Sequence, residues 1–239
     1  MTTKEKLLAL LEDSKGTFFS GEEIARTLQV SRAAVWKAVN ALREDGYTID
    51  AATNKGYRLS PDSDILSPQG IRRFLKPEYR DLDLTVLPTA PSTNALVREK
   101  ANQGRPEGCV IVACEQTDGR GRYGRQFFSP IDSGVYLSLL LRPTAYSPQQ
   151  ATCLTAAAAA AMCQAIEAVT GQQPGIKWVN DIFLHGKKVC GILTEAAVGL
   201  ETGALDYMVL GAGVNLYPPV KGFPEEIQPI AGSVLERSC

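Results

Sequence analysis

At 239 residues, with 25 Lys and Arg against 26 Asp and Glu, the chain can hold two modest domains and is too neutral for a wholesale polyanion binder. No signal-peptide pattern opens it, and no apolar run is expected to span a bilayer, since even the Ala-rich stretch carries Thr155, Gln164 and Glu167. A cytoplasmic protein with no membrane partner is expected. The six cysteines (Cys109, Cys114, Cys153, Cys163, Cys190, Cys239) lack C-x-x-C pairing and His185 is the single histidine, so free buried thiols and no bound metal are expected.

In chain order, Thr2 or Thr3 can cap a helix over residues 4–13, with Leu7, Leu8, Leu10 and Leu11 on one face. Ser20 with Glu23 three residues later marks a capping box for a short helix through Leu28. Ser31 caps a third helix over 32–45 that stops at Gly46, and two short strands, 47–50 and 56–59, flank an Asn54-Lys55-Gly56 turn. Helix, turn, helix and hairpin make the plan of a winged helix-turn-helix, whose second paired helix enters the major groove. The exposed face of that helix, Ser31, Arg32, Ala33, Trp36, Lys37 and Asn40, offers donors with little bulk, and Lys55 and Arg58 charge the wing. A three-helix module for protein contacts fits the same pattern. Glu22, Glu23, Glu44 and Asp45 keep this part nearly neutral, so tight operator binding calls for two copies.

Residues 60–68, with two prolines and little apolar content, read as a linker, which places the domains at 1–61 and 62–239. Beyond it, expected strands (83–87, 110–113, 135–141, 175–184, 189–197, 206–211) mix with a few helices, an α/β pattern of the α+β type with a mixed sheet. The clearest helix has Ser147 as cap, Pro148 in its first turn, Gln150 completing the box and an Ala-rich body to Gly171.

Chemistry concentrates in three places. Gly119-Arg120-Gly121-Arg122-Tyr123-Gly124-Arg125 joins a backbone that bends tightly to guanidinium forks that fit carboxylate or phosphate oxygens. It also spells G-x-G-x-x-G, but a strand rather than a helix is expected after it, which argues against a dinucleotide site; an exposed basic loop remains the plain alternative. Ser92-Thr93-Asn94 gathers hydroxyls and free N–H groups at a helix start, where an N-cap is the ordinary reading. In 176–184, strand alternation would put Lys177 and Asp181 on one face, either to hold a nucleotide phosphate with its Mg²⁺ or as an ion pair.

Together these segments resemble the bacterial bifunctional biotin–protein ligase and biotin-operon repressor family. The resemblance is carried by Ser-Arg-Ala-Ala at 31–34, Asn-Lys-Gly-Tyr at 54–57, Ser92-Thr93-Asn94, Gln116 with the 119–125 loop, Lys177-Trp178-Val179-Asn180-Asp181, 188–193 and Gly211-Ala212-Gly213-Val214-Asn215. It implies two steps: biotin and Mg·ATP give biotinyl-5′-AMP and pyrophosphate, and a lysine of a biotin carboxyl-carrier domain then takes the biotin and releases AMP. By resemblance, Ser92, Thr93, Asn94, Gln116, Arg120, Gly121, Arg122 and Lys188 would hold biotin. Arg122, Arg125, Phe127, Lys177, Asn180, Asp181 and Asn215 would hold ATP or the adenylate, with Arg120, Arg122, Lys188, Lys177 and Asp181 acting in catalysis. The adenylate would serve as corepressor, promoting a homodimer that sets two winged helices on operator DNA.

The chain departs from the family pattern at Val179, usually proline, and at Tyr123, often arginine. The pattern also continues into a small C-terminal β-barrel, whereas this chain stops at Cys239 in what reads as a helix over 231–237. That implies a shortened C-terminal end, and with it the alternative of a DNA-binding sensor of biotin or its adenylate with little ligase turnover. A lipoate-type ligase is a further rival, against which the arginine loop and the winged helix both argue.

Overall fold

The computed structural model describes residues 1–143, 150–199 and 204–237, in two compact units, Met1–Asp81 and Leu82–Cys239. In the first, α1 (Thr3–Asp13) opens on a full capping box: the Thr2 hydroxyl accepts from Glu5 N at 3.2 Å and Thr2 N donates to Glu5 Oε2 at 2.7 Å. Ser20 and Ser31 cap α2 (Gly21–Leu28) and α3 (Arg32–Glu44) by accepting from Glu23 N and Ala34 N. Leu7, Leu11, Ile24, Val35, Val39 and Leu42 meet in one core, each such side chain contributing roughly 1.5–3 kcal/mol.

The hairpin consists of β1 (Ile49–Ala52) and β2 (Gly56–Leu59), so the first strand begins two residues later than expected. Tyr47 N instead donates to Leu42 O at 3.0 Å, finishing the end of α3, and the Tyr47 ring enters the core. Gly56, at φ 93°, lies so close to the Phe19 backbone that a Cβ would overlap it. The expected linker is also more ordered than its composition implies. Ile65 packs on the first core, Ser67 caps α4 (Pro68–Arg72), and the first unit runs past the boundary at Asp62 to Asp81.

The second unit is a seven-stranded mixed sheet in the order β3-β4-β5-β9-β8-β7-β6. It comprises β3 (Asp83–Leu87), β4 (Cys109–Ala113), β5 (Gly134–Leu141), β6 (Gly175–Lys177), β7 (Asp181–Leu184), β8 (Lys187–Val198) and β9 (Leu205–Asn215). Only β3 and β4 are parallel, and α5 (Thr93–Asn102) makes the crossover between them. Val97 and Ala101 of α5 pack on Ile111, Leu140 and Val209, while Ala159 and Ile166 of α6 (Ala151–Thr170) pack on Ile182, Val189 and Ile192.

Four expectations change here. Residues 175–184 form a hairpin rather than one strand, because Asn180 ties the turn to β8: its Nδ2 donates to Ile192 O at 3.1 Å and its carbonyl accepts from Ile192 N at 2.8 Å. Residues 231–237 are not helical. Val234 N and Leu235 N donate to Asn215 O and Leu216 O, and a Cβ at Gly232 would crowd Lys187 at 2.5 Å. In α6, Cys153–Thr170 is apolar and long enough to cross a bilayer by length and composition, contrary to the expectation, because alanine lifts hydropathy without bulk; its inner face nevertheless joins the sheet core. The five described cysteines are free, but only Cys109 and Cys190 are buried; Cys153 is exposed on α6, against the expectation of buried thiols, while Cys239 and the expected cap at Ser147 and Pro148 lie outside the described residues.

Candidate active site

The polar floor of the first cleft begins where α5 starts. Ser92 caps that helix, its hydroxyl accepting from Ala95 N at 3.5 Å, and both Thr93 N and Thr93 Oγ1 donate to Gln116 Oε1, at 2.9 and 3.1 Å. Gln116 Nε2 then donates to Ser129 Oγ at 3.1 Å, which fixes the orientation of its amide. Asn94 is buried and its carboxamide is fully engaged by protein groups: Nδ2 donates to Glu195 Oε2 at 2.7 Å, and Oδ1 accepts from Ser138 Oγ at 2.6 Å. Opposite lie Gly191, Gly211 and Gly213, where absent side chains leave room: a Cβ at 211 would overlap Asn94 Oδ1, and one at 213 would stand 2.6 Å from the Phe127 ring.

A second cleft is lined by Arg125, Phe128, Asp181, Asn215, Phe223 and Ile227, and is more aromatic and apolar in its walls. Counting space open to solvent, the two clefts measure about 460 and 940 Å³. They share Gly121, Arg122, Phe127, Asn180 and Lys188. At this junction Lys188 Nζ lies 2.6 Å from the buried Asp181 Oδ1, off the hydrogen-bonding direction, and 5.9 Å from the centre of the Phe127 ring. Phe127 also meets Tyr136 edge-on at 6.4 Å. Burial pushes the Tyr136 phenol up to about 12 and the Cys190 thiol, beside Lys188 in β8, also to about 12, so both stay neutral.

The arginine loop reaches both clefts from an exposed position. Arg120 pairs with Asp118 at 2.8 Å while lining the first cleft, and Arg122 Nη1 donates to Asn180 Oδ1 at 3.2 Å across the junction. Arg122–Gly124 is a single 3₁₀ turn with Tyr123 at φ 58°, followed by extended chain, so no helix N-terminus faces the loop. Asn215 holds the far wall, its Nδ2 donating to Gly232 O at 3.0 Å.

Lys177 does not join this constellation. The hairpin makes it the cross-strand partner of Asp181, and its exposed ammonium lies over the Phe183 ring at 5.4 Å, while Lys188 makes the contact with Asp181. Sequence reasoning missed Ser138, Glu195 and Arg98, which support Asn94. The available signal was Ser138 in the otherwise apolar run of β5 and the charged Glu195 beside Thr194 in β8.

In the first unit, Arg32, Ala33 and Lys37 are exposed, Asn40 is half-buried, Ser31 is the exposed cap of α3, and Trp36 is 58% exposed despite its size. Lys55 is exposed at the hairpin turn. Arg58 is not a free wing charge: it pairs with Asp50 at 2.8 Å and lies 4.7 Å from the Phe18 ring centre.

The model of the biotin/lipoate A/B protein ligase family matches residues 86–215, and an HTH-domain model matches residues 3–58. The chain belongs to this ligase family. It is 40% identical over 237 residues to the bifunctional ligase/repressor BirA of Bacillus spizizenii, covering 99% of this chain and 72% of that protein. It is 33% identical over 215 residues to the bifunctional ligase/repressor BirA of Escherichia coli, covering 90% and 64%. The biotin protein ligase of Aquifex aeolicus, solved with biotin and ATP, superposes with a TM-score of 0.51 at 29% identity, over 64% of this chain and 59% of that one. The ligase-family match contains the first cleft, the whole arginine loop and the second cleft except Phe223, Ile227, Ile230 and Ala231, and the HTH match contains the three helices and the hairpin up to Arg58.

Proposed function

We propose that the chain is a biotin–protein ligase that is also a biotin-dependent repressor, with biotin in the first cleft and ATP in the second. The observation that carries this reading is their shared junction, where Lys188, Arg122 and Asn180 surround the one place at which groups from the two clefts can react. In the first step the carboxylate of biotin attacks the α-phosphate of ATP, forming the acyl–phosphate bond and expelling pyrophosphate. Lys188 and Arg122 lower the repulsion between the two anions and stabilise the charge that builds on the phosphate. Asp181, which lines the second cleft with its Oδ1 paired to the Lys188 ammonium at 2.6 Å, would be the carboxylate to hold the Mg²⁺ that accompanies the nucleotide. Phe127 and Phe128 supply aromatic walls for the adenine side.

In the second step the neutral amine of a carrier lysine attacks the acyl carbon, AMP leaves, and the ammonium proton is lost to solvent. The arginine loop is the natural cover for the hydrolysable anhydride, since it borders both clefts and is itself exposed. The adenylate would then favour a homodimer that presents two winged helices to a palindromic operator, in the cytoplasm.

Transfer of labelled biotin to a carrier domain with Mg·ATP, run beside a titration with biotin alone, tests the proposal. Transfer is expected. Biotin binding without transfer would assign the chain to adenylate or biotin sensing, and binding of lipoate in preference to biotin would overturn the substrate.

A further inference from the structure

Residues 60–68 have the composition of a linker, yet the C-terminal end of α1 holds this stretch and the residues after it at three points. The Lys15 ammonium donates to Ser63 O, Ser67 Oγ donates to Glu12 Oε1 at 3.5 Å, and Arg73 Nη1 donates to Glu12 O at 2.9 Å. Between these points Ile65 packs on the first core, and Ser67, itself buried, accepts from Gly70 N at 3.0 Å. The fit is close, since a Cβ at Gly70 would stand 3.2 Å from Glu12 Oε1 and 3.1 Å from Ser67 Oγ. Glu12 is only 6% exposed, and burial pushes its carboxyl up against the opposing pull of Lys15 and Arg73. Taking a carboxyl group out of water is a cost that a freely solvated linker would not impose. Beyond Arg73 the character changes: residues 76–81 are all exposed before β3 begins at Asp83. The same α1 carries Leu7, Leu8 and Leu11 into the core that seats α3 through Val35, Val39 and Leu42. One helix therefore grips both the exposed helix of the winged unit and the start of the connection that leads to the second unit.

We propose that Glu12, with Lys15 and Arg73, is a positioning residue for operator recognition, because fastening residues 63–73 to α1 makes the spacing of two half-sites part of what the protein reads. The fastening shortens the free chain between the winged helix and β3 from about twenty residues to about eight. In a dimer, a short free chain limits how far apart and in what rotation two recognition helices can be set, so only one spacing receives both. With the fastening released, the second winged helix explores a larger volume, and its effective concentration at its half-site falls by about fourfold, following the −3/2 power of the chain length. The same freedom lets it reach half-sites at other spacings. This inference rests on the chain binding a two-part operator as a dimer.

The test uses the full chain with biotin and Mg·ATP. The probe is a palindromic duplex that the wild type selects from a random pool, beside a copy whose half-sites are moved apart by about half a helical turn. Glu12→Ala, Lys15→Ala and Arg73→Ala made together remove the three fastenings and leave Leu7, Leu8 and Leu11 in place. This variant is expected to bind the selected duplex about fourfold more weakly and to lose most of the preference for it over the respaced copy. Hydrogen exchange at residues 60–73 should quicken while that of α1 and α3 stays as in the wild type. Arg73→Ala alone, a change at an exposed residue, carries the test should the triple variant not fold, with a smaller shift in the same direction. Unchanged exchange at 60–73, or quickened exchange with the spacing preference intact, would overturn the inference. Equal weakening on both duplexes, which a purely structural role would give, would also overturn it. Failure of the wild type to select any duplex would instead overturn the operator reading on which it stands.

Discussion

Lys188 and Asp181 stand 2.6 Å apart where the two clefts meet, each with about a quarter of its side chain exposed. Lys188→Ala removes the cation that lines both clefts, and that would face two anions on the proposed reading, and it leaves the buried Asp181 oxygen without its counter-charge. Pyrophosphate release from biotin and Mg·ATP should slow by about 10²-fold or more, the scale for losing one preorganised electrostatic group. Biotin binding measured without nucleotide should weaken far less. A variant with wild-type pyrophosphate release would remove Lys188 from the reaction.

Gly213 has room for no side chain because the Phe127 ring stands where its Cβ would be. Gly213→Ala should therefore push Phe127 out of its place in the wall common to both clefts, at a cost of about 1–3 kcal/mol in overpacking. Affinities for biotin and for ATP should fall together, and Gly213→Ala should have little further effect in a Phe127→Ala background. Independent responses of the two ligands in paired titrations would show that Phe127 is not a shared wall.

Much of this arrangement was legible before any coordinates. The capping residues Thr2, Ser20 and Ser31 act locally, and each accepts the backbone bond its spacing implies, although of the box expected at Ser20 and Glu23 only the bond from Glu23 N forms. What could not be read is what depends on partners distant in sequence. Lys177 and Lys188 are equally basic on paper, and the choice between them is made by the hairpin turn that Asn180 ties to Ile192. Residues 231–237 carry a helical pattern that loses to pairing with Lys188, Asn215 and Leu216, and Ile65 turns an apparent linker into part of a core. In each case a long-range contact overrides local preference.

Tyr136 provides a pH signature of the cleft wall. Its folded pKa of about 12 exceeds the ordinary phenol value because burial disfavours the phenolate, so above about pH 10 the unfolded chain loses this proton first. Stability from this group is fully present below pH 10 and declines by about 1.4 kcal/mol per pH unit until the folded phenol also titrates. Denaturant midpoints from pH 9 to 12 should fall more steeply for wild type than for Tyr136→Phe. Parallel curves would place the phenol in contact with solvent. Cys190 adds a similar slope to both proteins and cancels in the comparison.

The winged-helix unit separates charge from shape at two residues. Lys55 is the exposed cation at the hairpin turn, since Arg58 is held by Asp50 and Phe18, so Lys55→Ala should reduce the slope of log K against log salt for operator DNA by about one. Trp36 has an indole more than half exposed on the face of α3 and carries no charge, so Trp36→Ala should leave that slope unchanged. What it should lose is preference for operator over unrelated DNA, by about tenfold or more, the scale of one specific base contact. Neither change touches the clefts, so biotin affinity serves as the internal control. If Trp36→Ala weakened binding to all sequences equally, α3 would be gripping phosphates rather than reading bases.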